Sequence, residues 1–194
     1  MTDVTVSFLQ QLSPKDLRPS AKRLPDGARI ELARNISPEF SRFLYRSVGS
    51  HLNWSDRLTQ TRQQWDAVLR KEGSETYVLY REGSPAGYVE LCSEAEAGGT
   101  AVEIFYFGLF PEATGQGLGG VLLTEALRKA WSMHERWPNL AAVSRVWLHT
   151  CDLDGPAALP NYLARGFHVY RTETEDSVVT DASVGLWPEP EAQH

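Results

Sequence analysis

The residues with the most chemistry to offer lie together in "FYFGLFPEATGQGLGGVLL", Phe105 to Leu123. An aromatic-rich strand pattern runs to Pro111. Four glycines then fall within six positions, at Gly115, Gly117, Gly119 and Gly120, and an apolar helical pattern begins. A glycine-rich turn ahead of a helix presents several main-chain N–H groups and the positive end of the helix dipole, which suits a phosphate. Glycine lets that backbone approach the anion with no Cβ in the way. A nucleoside-triphosphate loop is excluded, because Val121 and Leu122 follow Gly120 and no lysine reaches a γ-phosphate. The spacing GxGxxG is present at Gly115, Gly117 and Gly120, but Pro111-Glu112-Ala113 separates strand from loop. No acid closes the next strand at the offset of about 20 residues that a dinucleotide site uses. A tight glycine turn without any ligand is the plain alternative.

Elsewhere the signals are sparser. His149 and Asp152 in "LHTCDLD" flank a presumed strand end, where a His–Asp pair serves as a base, lines a pocket or satisfies local hydrogen bonds. Cys92 and Cys151 have no metal or disulfide spacing and read as buried free thiols. A formal net charge of −6, with no basic cluster, argues against nucleic acid as a partner. It favours cationic substrates through long-range attraction. No apolar run approaches membrane-spanning length. Met1 to Pro14 lacks the basic start and continuous apolar stretch of a secretion signal, so a cytoplasmic protein with no membrane partner is expected.

The elements that must position these residues follow from periodicity. Thr5 to Leu12 reads as an added strand within an N-terminal extension, 1–27, whose remainder is rich in Pro and charge. "ARIELARNI" alternates like a strand, and a helix enters at Ser37-Pro38-Glu39. A second helix closes on Gly73. Two strands follow, joined at Glu82, Gly83, Ser84 and Pro85, and a third leads into the glycine loop. The next helix carries Leu118, Val121, Leu122, Ala126, Leu127, Ala130 and Trp131 on one stripe, with Thr124, Glu125, Arg128 and Lys129 facing away. A strand through Trp147, a short helix through Tyr162 and a last strand complete the domain, 28–187, ahead of a flexible tail, 188–194. The order predicts an α+β (α/β three-layer) fold. Its central sheet is mixed, mostly antiparallel, with helices on both faces.

Two segments in this order resemble the GCN5-related N-acetyltransferases (GNAT). "EIFYFGLFPEATGQGLGGVLL" is similar to that family's strand–Pro–Glu–loop–helix with the pattern [RQ]-x-x-G-x-[GA], laid here on Thr114, Gly115, Gln116, Gly117, Leu118 and Gly119. "NYLARGF" resembles its Tyr-x-x-x-Gly-Phe element, with Tyr162, Gly166 and Phe167. The resemblance covers about Ala28 to Glu175 and implies a GNAT-like fold with acetyl-CoA as co-substrate and no metal. Main-chain donors from Thr114 to Gly120 would take the coenzyme's pyrophosphate. The main chain at Phe107 and Leu109 would pair with its pantetheine amides as an added strand does. Thr114 stands where the family usually has Arg or Gln, and Gly155 about where many members have Asn.

By the same resemblance Tyr162 is the acid for the leaving thiolate. Glu103, eight positions before Pro111, is the base for an ammonium of pKa about 10. Strict alternation puts Glu103 on the face of Phe105, Phe107 and Leu109, and a bulge would change that phase. His51 and Trp54, near Asp56 after the first helix, and His149 are the acceptor-pocket candidates. The expected activity is acetyl transfer to a primary amine, on a small molecule or a peptide, by direct attack in a ternary complex. A catalytically degenerate acyl-CoA-binding sensor or interaction module is the alternative. Members of the family often dimerise, and the sequence leaves both monomer and homodimer open.

Overall fold

The computed structural model describes residues 2–50, 52 and 54–177. The tail expected over 188–194 and the candidate His51 lie outside them. The chain forms β1 (Thr2–Gln11), β2 (Ala28–Leu32), α1 (Pro38–Gly49), α2 (Arg62–Arg70), β3 (Glu75–Arg81), β4 (Ser84–Glu96), β5 (Gly99–Leu109), α3 (Leu118–Trp131), β6 (Val143–Cys151), α4 (Ala158–Ala164) and β7 (His168–Ser177). The strands make one sheet in the order β2-β3-β4-β5-β6-β1-β7. Only the β5–β6 pair among them is parallel. That is the pair joined through α3, and a parallel connection needs such a crossover. Among the described residues no helix is long and apolar enough to cross a membrane.

Local chemistry accounts for the element ends. Ser37 Oγ accepts from the Phe40 N–H at 3.1 Å to start α1, with Pro38 in the first turn. Thr61 and Gln64 close a reciprocal capping box on α2. The β3–β4 turn uses Glu82 and Gly83 at φ 49° and 85°, the mirror-image turn whose twist matches the strands it joins. Such turns hold the hairpin ends tightly, and Arg81 sits at one of them.

The sheet separates two apolar layers. On one face Leu118, Leu122, Ala126 and Leu127 of α3 pack with Val89, Leu91, Val102 and Ile104, joined by Tyr162 and Phe167. On the other, Leu44, Tyr45 and Val48 of α1 and Trp65 of α2 pack with Val78 and Tyr88. The three layers and the mixed, mostly antiparallel sheet are those the sequence predicts. The strand expected near the N-terminus forms as β1, and it lies inside the sheet between β6 and β7. Its Val4, Val6 and Leu9 are buried. Thr124, expected to face away, is also buried; it donates to the Gly120 carbonyl and accepts from the Ser20 N–H at 3.0 Å. Residues after β1 cross over α3 there, and periodicity within the helix cannot reveal a segment laid on it from outside.

Candidate active site

Helix α3 begins unlike α1 and α2. Its N-cap is Gly117, at φ 80°, with no side chain capping the first turn. The leading N–H groups of a helix have no partner inside it, so here they face outward as open donors. Gly115 is left-handed too, at φ 72°, a conformation that costs little only for glycine. Thr114 Oγ1 donates to the Pro111 carbonyl at 2.7 Å, which ties the entry to the loop. Gln116 Nε2 donates to the Glu112 carbonyl at 2.9 Å. Two cations from elsewhere rest on Gln116. Lys22 Nζ donates to its carbonyl at 3.3 Å, and Arg81 Nη1 donates to its side-chain oxygen.

The strand leading into this loop carries a bulge. Ile104 pairs with Leu91 and Tyr106 with Glu90, so Phe105 is the extra residue. The bulge resets the alternation. Phe107 and Leu109 pack on the α3 side, while Tyr106 packs on the α1 side and Gly108 lies against Val48 of α1. Glu103 therefore shares the α1 side with Tyr106 and Gly108, not the side of Phe107 and Leu109 that strict alternation gives.

The same region opens the sheet. β5 and β6 pair from Thr100 with Val143 to Glu103 with Trp147, and no further. β6 continues along β1 to Cys151, and β5 continues along β4 to Leu109. A gap thus widens between them beyond Glu103 and Trp147. The Phe110 N–H donates to the Ala86 carbonyl on the β4 side. Alternation then turns the main-chain groups of Leu109 and Phe107 the other way, into the gap. An extended ligand lying there would find unpaired strand edge.

Glu103 and His149 meet where the gap begins, with Oε1 3.4 Å from Nδ1. Glu103 is 7% exposed and His149 is open to solvent. The hydrogen bond to Glu103 raises the imidazole pKa above its ordinary value. Partial burial opposes this, and the charges of Glu103, Asp154 and Asp56 add to it. Asp152 is not the partner: it accepts from the Thr5 N–H at 3.2 Å and ties β1 to the end of β6. The acid paired with His149 comes from the neighbouring strand, which sequence proximity could not indicate.

An aromatic wall stands on the α1 side. Trp54 lies 5.4 Å from Tyr45 and 5.3 Å from Tyr106, ring to ring. Tyr45 and Tyr106 both donate to Asp56, at 2.5 and 2.7 Å. Trp54 Nε1 donates to Asp154 at 3.4 Å. Beneath the bulge Arg57 pairs with Glu90 at 2.7 Å, both almost wholly buried, and Arg57 lies over the Trp65 ring at 4.2 Å. Burial pushes the Glu90 carboxyl up even against the opposing charge of Arg57. Tyr162 stands across the gap, its ring 6.0 Å from Phe107 and 6.1 Å from Phe167. Burial, then the charge of Asp154, raises its hydroxyl pKa, so the phenol keeps its proton at neutral pH.

The structure thus brings Glu103, His149 and Trp54 to one side of the gap and Tyr162 to the other. The loop from Thr114 to Gly120 closes its end. Sequence reasoning missed Tyr45, Tyr106, Asp154, Lys22, Arg81 and the Arg57–Glu90 pair. Each is common in type and unremarkable in spacing, and only long-range contacts give it a place. Cys92 is buried with its thiol pushed up to about 12, so it is no nucleophile for this site.

No curated protein matches the chain by sequence. Solved structures do match in fold. A functionally unknown conserved protein from Staphylococcus epidermidis aligns at TM-score 0.57 with 18% identity, over 89% of this chain and 60% of its own. A GCN5-related N-acetyltransferase from Kribbella flavida aligns at TM-score 0.54 with 19% identity, over 87% and 55%. An aminoglycoside acetyltransferase from an uncultured soil metagenomic sample aligns at TM-score 0.53 with 14% identity, over 72% and 88%. The chain therefore spans only a little over half the length of the first two. Residues 38–167 match the Acetyltransferase (GNAT) family, a stretch holding both helices before the hairpin, the bulged strand, the glycine loop and the Tyr162 element. The open helix start, the parted strands and this match together make the chain a member of the GNAT acetyltransferase family.

Proposed function

We propose that the protein moves an acetyl group from acetyl-CoA to a primary amine by direct attack in a ternary complex. The observation that carries this reading is the Glu103–His149 pair at the mouth of the gap, with a protonated Tyr162 across it. The coenzyme's pyrophosphate lies on the uncapped start of α3, and its pantetheine arm runs along the open edge at Phe107 and Leu109. A gap-facing N–H of β5 polarises the thioester carbonyl. The acceptor ammonium gives a proton to His149, whose charged form the buried Glu103 stabilises. The free amine attacks the carbonyl carbon, and the nitrogen of the tetrahedral intermediate releases its second proton to solvent. The C–S bond breaks as the carbonyl re-forms, and the thiolate takes the Tyr162 proton. Products are the amide and the free thiol, and solvent returns the phenolic proton.

The acceptor enters from the side of Trp54, Asp56 and Asp154. Carboxylates beside aromatic faces suit a cation, as the net charge of −6 does. Aminoglycosides, the acceptor class in the name of one structural neighbour, are the first to screen, beside polyamines and peptide amines. The protein acts without a membrane or nucleic-acid partner in this reading, in the cytoplasm, as a monomer or homodimer.

The test is calorimetric titration with acetyl-CoA, with Gly117→Trp as the blocked control. Micromolar binding, weakened more than about 100-fold in the variant, is expected, since the new side chain fills the cradle and the left-handed N-cap disfavours it. Tyr162→Phe should keep that affinity and lower turnover about 100-fold. Binding with no turnover on any amine would favour the sensor reading. No binding at millimolar coenzyme would overturn both.

A further inference from the structure

We infer that Lys22 and Arg81 grip the diphosphate of the coenzyme, supplying from two other parts of the chain the positive charge that Thr114 does not. This rests on the reading of the α3 start as a coenzyme A cradle.

Main-chain N–H groups alone offer only partial charges to a diphosphate, so a full cation nearby strengthens the hold. Thr114 carries none, and its hydroxyl is committed to Pro111. Lys22 and Arg81 instead reach the middle of the loop, both through Gln116. The stem of Lys22 passes so close to Gly117 that a Cβ there would collide with its Cδ and Nζ. The missing side chain at Gly117 therefore gives Lys22 its berth as well as giving an anion its access.

Neither residue is placed by chance of local sequence. The tight Glu82–Gly83 turn fixes Arg81 at the hairpin end, where it pairs with Ala28 of β2 and Ser84 of β4. The segment bearing Lys22 is tied across α3: the Arg18 N–H donates to the Arg165 carbonyl at 3.1 Å and the Ser20 N–H to Thr124 at 3.0 Å. Leu24 packs into the α3-side core beyond it. The two cations are also unneutralised. No carboxylate pairs with Lys22 or Arg81 among the described residues. Both now donate to neutral oxygens of one glutamine. Exchanging those oxygens for phosphate oxygens turns each bond into one between opposite charges without moving the backbone.

The experiment measures dissociation constants of coenzyme A and dephospho-coenzyme A, at low and high salt, for the wild type, Lys22→Gln, Arg81→Gln and Lys22→Arg. Both residues are exposed, so melting temperatures should stay within about 2 °C of wild type. Each glutamine variant should bind both ligands about 10-fold more weakly, with a shallower salt dependence, and Lys22→Arg should stay within about threefold of wild type. Wild-type protein that fails to bind either ligand overturns the coenzyme reading itself. Wild-type binding with unchanged affinity in both glutamine variants overturns only the present inference. A loss seen with coenzyme A but not with dephospho-coenzyme A overturns it too, assigning the cations to the 3′-phosphate.

Discussion

The two ends of the gap are built by opposite strategies. At the α3 end the groups assigned to the coenzyme in the proposal are main-chain N–H donors within one short run, Gly115 to Gly120, and their availability follows from what the residues lack: side chains and a cap. At the Glu103–His149 end the groups assigned work in the proposed reaction are side chains drawn from β5, β6 and the segment after α1. Their availability follows from what surrounds them: a bulge, a parted strand pair and an aromatic wall. A main-chain site tolerates change in the loop's own side chains and is vulnerable to shape. A side-chain site is the reverse.

That contrast can be broken by substitution. The largest effect is expected at the side-chain end, where His149→Ala should lower kcat by about 100- to 10,000-fold and leave coenzyme affinity within about twofold. Steady-state kinetics beside titration would separate the two. Glu103→Gln sharpens the point through pH. His149 has a raised pKa chiefly because Glu103 accepts its hydrogen bond, so kcat/KM should rise with pH through that raised value as the imidazole loses its proton. Removing the carboxylate charge leaves burial opposed only by the charges of Asp154 and Asp56, and the acid limb should move to lower pH. A limb that stays in place would mean that another group takes the proton.

Next in size is the support beneath the bulge. Arg57→Ala leaves the fully buried Glu90 without its counter-charge, which should cost about 3–5 kcal/mol in a denaturant titration. A loss below about 1 kcal/mol would show that Glu90 is already neutral in the folded protein. The smallest effect is expected at the main-chain end. Thr114→Ala removes one hydroxyl bond to Pro111 but no N–H donor, so coenzyme affinity should change by less than about twofold in the same calorimetric assay. A tenfold loss would make the loop depend on its own side chains, beyond the outside cations Lys22 and Arg81.

The same asymmetry governs what could be read in advance. The glycine loop and Tyr162-x-x-x-Gly166-Phe167 are contiguous, and their backbone demands are written in residue type. His149 and Glu103 were both recognisable as candidates, yet their pairing was not, because Asp152 is nearer in sequence and Glu103 is nearer in space. Strict alternation misplaced Glu103 for a related reason. A bulge is an agreement between two strands, Ile104 with Leu91 and Tyr106 with Glu90, and one strand alone does not contain it.

By itself, then, the sequence determined the local matters: the helix caps at Ser37 and Thr61, the tight turn at Glu82 and Gly83, the open start of α3 and the layered α+β class. These depend on φ, on side-chain period and on neighbours a few residues away. Only the tertiary structure decided that β1 enters the sheet between β6 and β7 and that β5 and β6 part after Glu103. It also decided that Lys22 and Arg81 converge on Gln116. Those choices depend on which distant surfaces bury each other best, a condition set by the whole packed chain and by no single stretch of it.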